Sequence, residues 1–351
     1  MIAYQSTLKT LLERSVLLHT TGSRGGIQDT ALCLSGGVDS TLLLQTLSDL
    51  NLLQRLKLFT FSGFSEKPCH DSLIAGKTAE YFGKDITHVF LPDRISLDYL
   101  KNIYSRPAYY CSDPSLLYFD SLANRIADSN IPVALTGDGG DELSGGYRRL
   151  RYQKIFGFLP KFVRSPLRLA VPLLSNERYK KILSQLISCD LSAKSYMDMA
   201  IVGLSNLRSE IKGRTYDSYS DVDFISFAIP NGMVRADAAF LTNGVENRSP
   251  FIEPSLYKFC KEKSVTKKDF IALIDHEIST EILRSKKGFE LGFSDLFYCL
   301  SYPEVKDLIL SNNNLGHKFQ VLRNATKWDE IPIKYLNQDF WNCFIKCLKS
   351  S

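Results

Sequence analysis

The stretch Leu32–Asn51, LCLSGGVDSTLLLQTLSDLN, constrains this chain more than any other. It opens on a short apolar run, Ala31 to Leu34, of the length and composition of a buried strand. It turns on Ser35-Gly36-Gly37-Val38-Asp39-Ser40 and continues as a leucine-rich helix. Leu43, Leu47 and Leu50 fall at helical spacing, and Leu42 and Leu44 widen the apolar face. Strand, glycine turn and helix together aim unpaired backbone N–H groups and the positive end of a helix dipole at an anion. Gly36 and Gly37 lack a Cβ that would hold a ligand away. Ser35 and Ser40 add hydroxyl donors. Asp39 is out of place in a site built for phosphate alone, and a divalent cation bridging it to phosphate oxygens resolves the conflict.

The loop is neither G-x-x-x-x-G-K-[ST] nor G-x-G-x-x-G. It resembles the S-G-G-x-D-S pyrophosphate loop of ATP pyrophosphatases, which split ATP into AMP and pyrophosphate. The plainer alternative is a Gly-Gly turn in which Ser40 or Asp39 caps a helix.

Downstream, Leu56–Ser62 and Ile86–Leu91 read as buried strands. Asp71–Phe82, stopped by Gly83, and Leu116–Asp128 read as helices, and Pro132–Leu135 as a further short strand. Before the loop, Leu8, Leu11, Leu12 and Val16 mark a helix, followed by a glycine-containing loop from Gly22 to Gly26. Strands alternating with helices predict an α/β fold with a doubly wound parallel sheet, whose ligands bind beyond the carboxyl ends of the strands. A second motif stands at such an end: Thr136-Gly137-Asp138-Gly139-Gly140-Asp141-Glu142-Leu143-Ser144-Gly145-Gly146-Tyr147. Five glycines and three acids in twelve residues do not make a core element. They permit close approach of a ligand, and the carboxylates are placed to hold the metal that Asp39 implies. An acidic surface turn is the bland alternative.

The two motifs together resemble the synthetase domain of the asparagine synthetase family, which includes β-lactam synthetases and lasso-peptide cyclases. There the second motif reads roughly S-G-[ED]-G-[SG]-D-E-L-F-G-G-Y. Two more stretches join the likeness in family order: Met233–Phe251, MVRADAAFLTNGVENRSPF, against L-x-[KR]-x-D…G-x-E-x-R-x-P-F-L-D, and Ser285–Phe289, SKKGF, against K-x-G-F. The resemblance implies a fold of the ATP-pyrophosphatase (adenine nucleotide α-hydrolase-like) type with a largely helical C-terminal half. It implies three parts: an N-terminal helix and loop (1–29), an α/β core (30–150) and a helical part (151–351) completing the same domain. The implied reaction is attack of a carboxylate on the α-phosphate of ATP, then attack of an amine on the acyl-adenylate.

The resemblance also implies roles. Ser35, Gly36, Gly37, Asp39 and Ser40 would hold pyrophosphate, with Leu34 against the nucleotide. Thr136, Gly137 and, more loosely, Ser62 would line the adenosine side. Asp39 and Asp141 would ligate Mg²⁺. Lys286 would stabilise charge at the α-phosphate and pyrophosphate, and Asp138 would handle the amine's proton. Glu246 and Arg248 are expected to form a structural ion pair. There are departures. Gly232 stands where many relatives have an acid in P-x-[DE]-x-L-x-[KR]-x-D, Ser144 replaces Phe, and Glu253 stands where Asp is common. Glutamine-dependent relatives begin with a glutaminase whose nucleophile is the cysteine after Met1. Here residue 2 is Ile2 and about 30 residues precede the loop, so the expected nitrogen source is ammonia, a separate glutaminase subunit, or an amine substrate. The carboxylate is left open between a small molecule, a sugar acid and a peptide.

The remaining features bound the setting. No apolar run reaches the roughly 18 residues of a membrane span, and Lys9, Glu13 and Arg14 interrupt any signal-like stretch. Eight scattered cysteines fit reduced thiols and a cytoplasmic location. Arg148 to Arg168 carries seven basic residues and no acid. A solvated helix with its stems packed on apolar neighbours is preferred there to a nucleic-acid interface. Two other functions share the first loop: a transfer-RNA-modifying ATP pyrophosphatase, which would need catalytic cysteines or an RNA-binding appendage, and a nucleotide-binding subunit without catalysis.

Overall fold

Residues Thr30–Cys33 form strand β1 at the centre of a parallel sheet, and the Leu-rich segment behind the turn forms helix α2, Val38–Asp49. The computed structural model describes residues 2–64, 68–107, 111–145, 233–282, 293–312, 321–332 and 338–350, with isolated positions at 166, 319, 335 and 336. Lys286 and the rest of the 285–289 stretch, Gly232, Tyr147, and the basic segment 148–168 apart from Pro166 lie outside the described residues.

Helix α1, Ile2–Thr20, precedes β1. After α2 come β2 (Leu56–Phe64), α3 (His70–Tyr81), β3 (Ile86–Leu91), α4 (Leu97–Ser105), α5 (Ser115–Ala127), β4 (Val133–Leu135) and α6 (Gly140–Ser144). Helix α7 (Val234–Thr242) then leads into β5, Glu246–Arg248. The sheet has the order β3-β2-β1-β4-β5, and every pair is parallel. The strand order reverses at β1, so β1 and β4 leave the sheet side by side and the two glycine loops emerge as neighbours. Thr30 lies beside both Leu56 and Val133, and Leu135 pairs with Arg248. The sheet is therefore completed by a strand beyond residue 150.

Successive strand residues face opposite sides of a sheet, and here each side has its own core. Ala31, Phe59 and Ala134 point into one, with α4, α5, α7 and the C-terminal helices. Leu32, Leu58 and Leu135 point into the other, with α1, α2, α6 and the segment 251–278. Burial on both faces is why these strands read as continuous apolar runs rather than alternating ones. The second core takes α8 (Pro254–Glu262) and α9 (Lys267–Ile271). The first takes α10 (Phe293–Tyr298), α11 (Tyr302–Leu310), α12 (Val321–Asn324) and α13 (Gln338–Ser350). Fully buried Trp341 of α13 donates its indole N–H to the Ser112 carbonyl at 2.9 Å, tying the C-terminal helix to the loop before α5. Among the described residues no helix is long and apolar enough to cross a membrane.

Candidate active site

The β1–α2 turn is shaped by one glycine that nothing else can replace. Gly36 has φ +67, and a Cβ there would lie 2.7 Å from the Asp71 carbonyl oxygen and 3.0 Å from the Ala75 nitrogen. Gly37 is the N-cap of α2 with extended backbone. Ser40 closes the loop on itself: its hydroxyl accepts from Ser35 N at 3.1 Å, lies 3.1 Å from the Ser35 hydroxyl, and donates to the Gly37 carbonyl at 3.3 Å. The first-turn N–H groups of α2 therefore open beyond β1, on the side where β4 delivers its own loop.

That second loop is pressed against the first. A Cβ on Gly140 would come within 2.5 Å of the Asp39 carboxylate, and one on Gly137 within 3.2 Å of the Asp39 Cβ and the Ser40 nitrogen. Gly139, at φ +86, forms the left-handed N-cap of α6. The glycines let the chain bring Asp141, in the first turn of α6, towards Asp39. The two carboxylates meet on a single ammonium. Lys267 Nζ donates to both carboxylate oxygens of Asp39 at 2.6 Å and to Asp141 Oδ1 at 2.5 Å. Burial by itself would lower the lysine pKa. The charges of Asp39 and Asp141 outweigh it and hold Lys267 above its ordinary value.

Beside this cluster is a cavity of about 290 Å³. Leu34, Ser35, Asp39, Ser40, Thr136, Gly137 and Asp138 line its polar side, and Phe59, Phe61, Tyr118 and Leu122 its apolar side. Phe61 and Tyr118 stack with ring centroids 4.4 Å apart. The Thr136 hydroxyl donates to Asp138 Oδ2 at 3.0 Å and, with its proton so used, accepts from the Ser249 hydroxyl at 3.0 Å. Burial raises the Asp138 carboxyl, against the lowering effects of the Arg235 charge and the Thr136 hydroxyl. Arg235, also on the cavity wall, is held by Asp113, which accepts from Ser115 at the start of α5, and its guanidinium lies 5.4 Å from the Phe119 ring centre. A larger depression, about 570 Å³, lies at the β3 edge among His88, Arg94 and Arg125. Among the described residues, no carboxylate and no residue of either glycine loop lines it, so the smaller cavity is the candidate site.

Ser62 does not line this cavity. The β2–β3 register shifts between Phe61 and Gly63, and the extra residue of a bulge is turned out of the regular alternation; the Ser62 hydroxyl lies 2.7 Å from His88 Nδ1. Glu246 and Arg248 form a two-pronged ion pair at 2.8 and 2.9 Å. Arg248 also donates to the carbonyls of His19 and Thr21, at 2.8 and 3.0 Å, pinning the end of α1 to β5. Lys267 is the site residue that motif reading passes over; Arg235 stands at the [KR] position of the L-x-[KR]-x-D segment but carries no role in that reading. Lys267 stands 228 positions from Asp39, so no local spacing connects them. The legible signal is a lysine at the first position of a helix, where the dipole favours an anion, inside the capping box formed by Thr266 and Asp269.

Asp39 and Asp141 fit a small divalent cation. Both are hard oxygen donors from opposite loops, and a cation, the lysine ammonium, already sits between them. Among the described residues no group of three or more His, Cys, Asp or Glu side chains gathers around a point. A metal held here would therefore complete its shell from phosphate oxygens and water, as Mg²⁺ does on nucleotides.

The asparagine synthase family profile matches residues 7–269. The chain belongs to the asparagine synthase family. The match takes in Asp39, Asp138, Asp141 and Lys267 and ends before the 285–289 stretch. A putative glutamine-hydrolysing asparagine synthetase of Mycobacterium tuberculosis is 27% identical over 253 residues, 64% of this chain and 37% of the relative. Glutamine-hydrolysing asparagine synthetase 1 of Bacillus subtilis is 25% identical over 255 residues, 64% of this chain and 39% of that one. The matched region thus spans under two-fifths of these relatives. Among solved structures, a U34-tRNA thiolase from Methanococcus maripaludis aligns over 92% of this chain and 80% of its own, at 11% identity and a TM-score of 0.31. That likeness is too slight to argue from.

Proposed function

We propose that this chain is an ATP-dependent amide synthetase that forms AMP and pyrophosphate. The observation that carries the reading is the convergence of Asp39 and Asp141, from two loops at adjacent strand ends, on one cation position beside a cavity with a polar and an aromatic wall. In this reading the aromatic wall takes the adenine, and Leu34, Thr136 and Gly137 flank the nucleoside. Ser35, Gly36, Gly37 and the first turn of α2 hold the phosphates with backbone donors. Mg²⁺ on Asp39 and Asp141 would neutralise charge on the leaving pyrophosphate. A substrate carboxylate oxygen attacks the α-phosphorus, the bond to the bridging oxygen breaks, and pyrophosphate leaves. An amine then attacks the acyl carbon, and AMP leaves as the amide forms. In this reading Asp138 takes the amine's proton; its raised pKa suits a base better than an ordinary aspartate would. The family resemblance gives Lys286 the charge developing at the α-phosphate.

The RNA-modifying alternative calls for catalytic cysteines or an RNA-binding appendage. Burial raises the thiols of Cys33, Cys111 and Cys260, the last to about 12, which opposes thiolate formation at neutral pH.

The test follows the oxygen. With Mg²⁺, ATP, ammonium and a panel of ¹⁸O-labelled carboxylates beginning with aspartate, one ¹⁸O should pass from the carboxylate to AMP for each amide formed. ADP as the nucleotide product, or AMP without label, would overturn the acyl-adenylate.

A further inference from the structure

The ammonium of Lys267 occupies the point between Asp39 and Asp141 that the proposed divalent cation needs. Its three contacts, at 2.5 and 2.6 Å, use both oxygens of one carboxylate and one oxygen of the other. Mg²⁺ takes oxygen ligands at roughly 2.0–2.1 Å, so the two cations cannot share that position. The lysine is also built into place. Its side chain is only 20% exposed. Its helix is started by the Thr266–Asp269 capping box, with bonds of 2.6 and 2.7 Å, and anchored by buried Phe270, stacked 5.4 Å from Phe251. An unpaired pair of carboxylates forced together by Gly137 and Gly140 would repel, and a lysine fixed opposite them removes that repulsion.

We propose that Lys267 is a built-in counter-ion: it holds Asp39 and Asp141 assembled in the nucleotide-free protein and excludes free divalent metal until nucleotide arrives. This rests on the reading of Asp39 and Asp141 as cation ligands. A metal ion arriving alone must expel the ammonium and gains only two carboxylates. A metal ion arriving on a polyphosphate brings its own oxygen ligands and asks less of the pair. Lys267 is thus a positioning residue that makes metal binding depend on nucleotide.

The probe is Mn²⁺ without nucleotide, its free ion counted by electron paramagnetic resonance, on the full chain. Lys267→Met and the milder Lys267→Gln are expected to bind Mn²⁺ alone about tenfold more tightly than the parent, or better, because the competent state is no longer masked. Both should melt lower than the parent in chelator and recover in Mn²⁺. Lys267→Arg, which keeps a fixed charge, should stay weak for Mn²⁺. Adding Asp39→Asn to Lys267→Gln should abolish the gain. Unchanged Mn²⁺ affinity in both neutral variants, or variants that Mn²⁺ does not rescue, would overturn the counter-ion. The site reading is checked separately on the parent protein with ATP. Mn²⁺ binding that ATP promotes and Asp39→Asn removes leaves that reading standing even where the counter-ion fails. Indifference to Asp39→Asn with ATP present would remove both.

Discussion

At the scale of single residues the site is a matter of charge placement. In the proposed reaction Asp39 and Asp141 hold the cation on the polyphosphate, so Asp39→Asn and Asp141→Asn should each lower carboxylate-dependent AMP formation by about 10²–10³. Steady-state rates within about threefold of the parent, roughly 0.7 kcal/mol of barrier, would contradict the assignment. Asp138 makes a prediction about pH that needs no substrate. Its pKa is raised in the folded protein, chiefly by burial. Between the ordinary aspartate value and that raised value, the folded state holds the proton more firmly than the unfolded chain. The contribution of this group to stability therefore falls as pH rises through the window. Asp138→Asn should remove that segment of the slope, and above the window the variant should lose nothing to ionisation of a buried acid. Denaturant midpoints of parent and variant from pH 3 to 7 give the difference directly. A constant offset with no pH dependence would show that burial is not what governs Asp138.

At the scale of elements, the short β5 strand is held by its arginine. Arg248 offers two charge-assisted bonds to the carbonyls at the end of α1 as well as its pair with Glu246. Glu246 is half exposed, so the ion pair itself contributes little. Arg248→Ala should cost about 2 kcal/mol of unfolding free energy through the carbonyl bonds, and Glu246→Ala much less; urea titration separates them. Equal losses would mean that the ion pair, not the pin on α1, is what matters. The same elements show what the chain reveals by inspection. Strands β1, β2 and β4 are legible because two-sided burial leaves them as largely apolar runs, while the edge strand β3 is mostly half-buried and reads from Val89, Phe90 and Leu91. Helix α4, which is not among the helices read from the sequence, carries signals as well, with Ser96 as a capping residue and Leu100, Ile103 and Tyr104 buried at helical spacing. β5 is not legible: Glu-Asn-Arg has no strand character, and it pairs only because the preceding helix α7 sets it beside β4. The bulge that turns Ser62 towards His88 is likewise a property of the β2–β3 register rather than of any local pattern.

At the scale of the molecule, the site is where two cores meet the carboxyl edge of one sheet. Asp39 and Asp141 could be paired from sequence because each sits in a glycine loop after a strand. Lys267 and Arg235 could not, since only the closing of residues 233–271 over both loops brings them in. The nitrogen source is a question at this scale as well. Hydrolysis of glutamine needs a nucleophile, most readily a thiolate, that reaches the side-chain amide. Cys33 lies on the cavity wall, but burial raises its thiol strongly, with the Asp138 charge adding to the effect. Burial likewise raises Cys299, to about 11, and Cys347. A thiol so placed acts as a small apolar side chain. These 351 residues should therefore release no glutamate from glutamine, with or without ATP. Given the right carboxylate, they should form product with ammonium or an amine. The rate at fixed total ammonium should climb with pH as the free base increases, because only the unprotonated nitrogen attacks the acyl carbon. Glutamate release and amide formation measured side by side over a series of ammonium concentrations decide the matter. Glutamate release by the isolated chain would defeat the prediction, and its loss in Cys33→Ser would then identify the nucleophile.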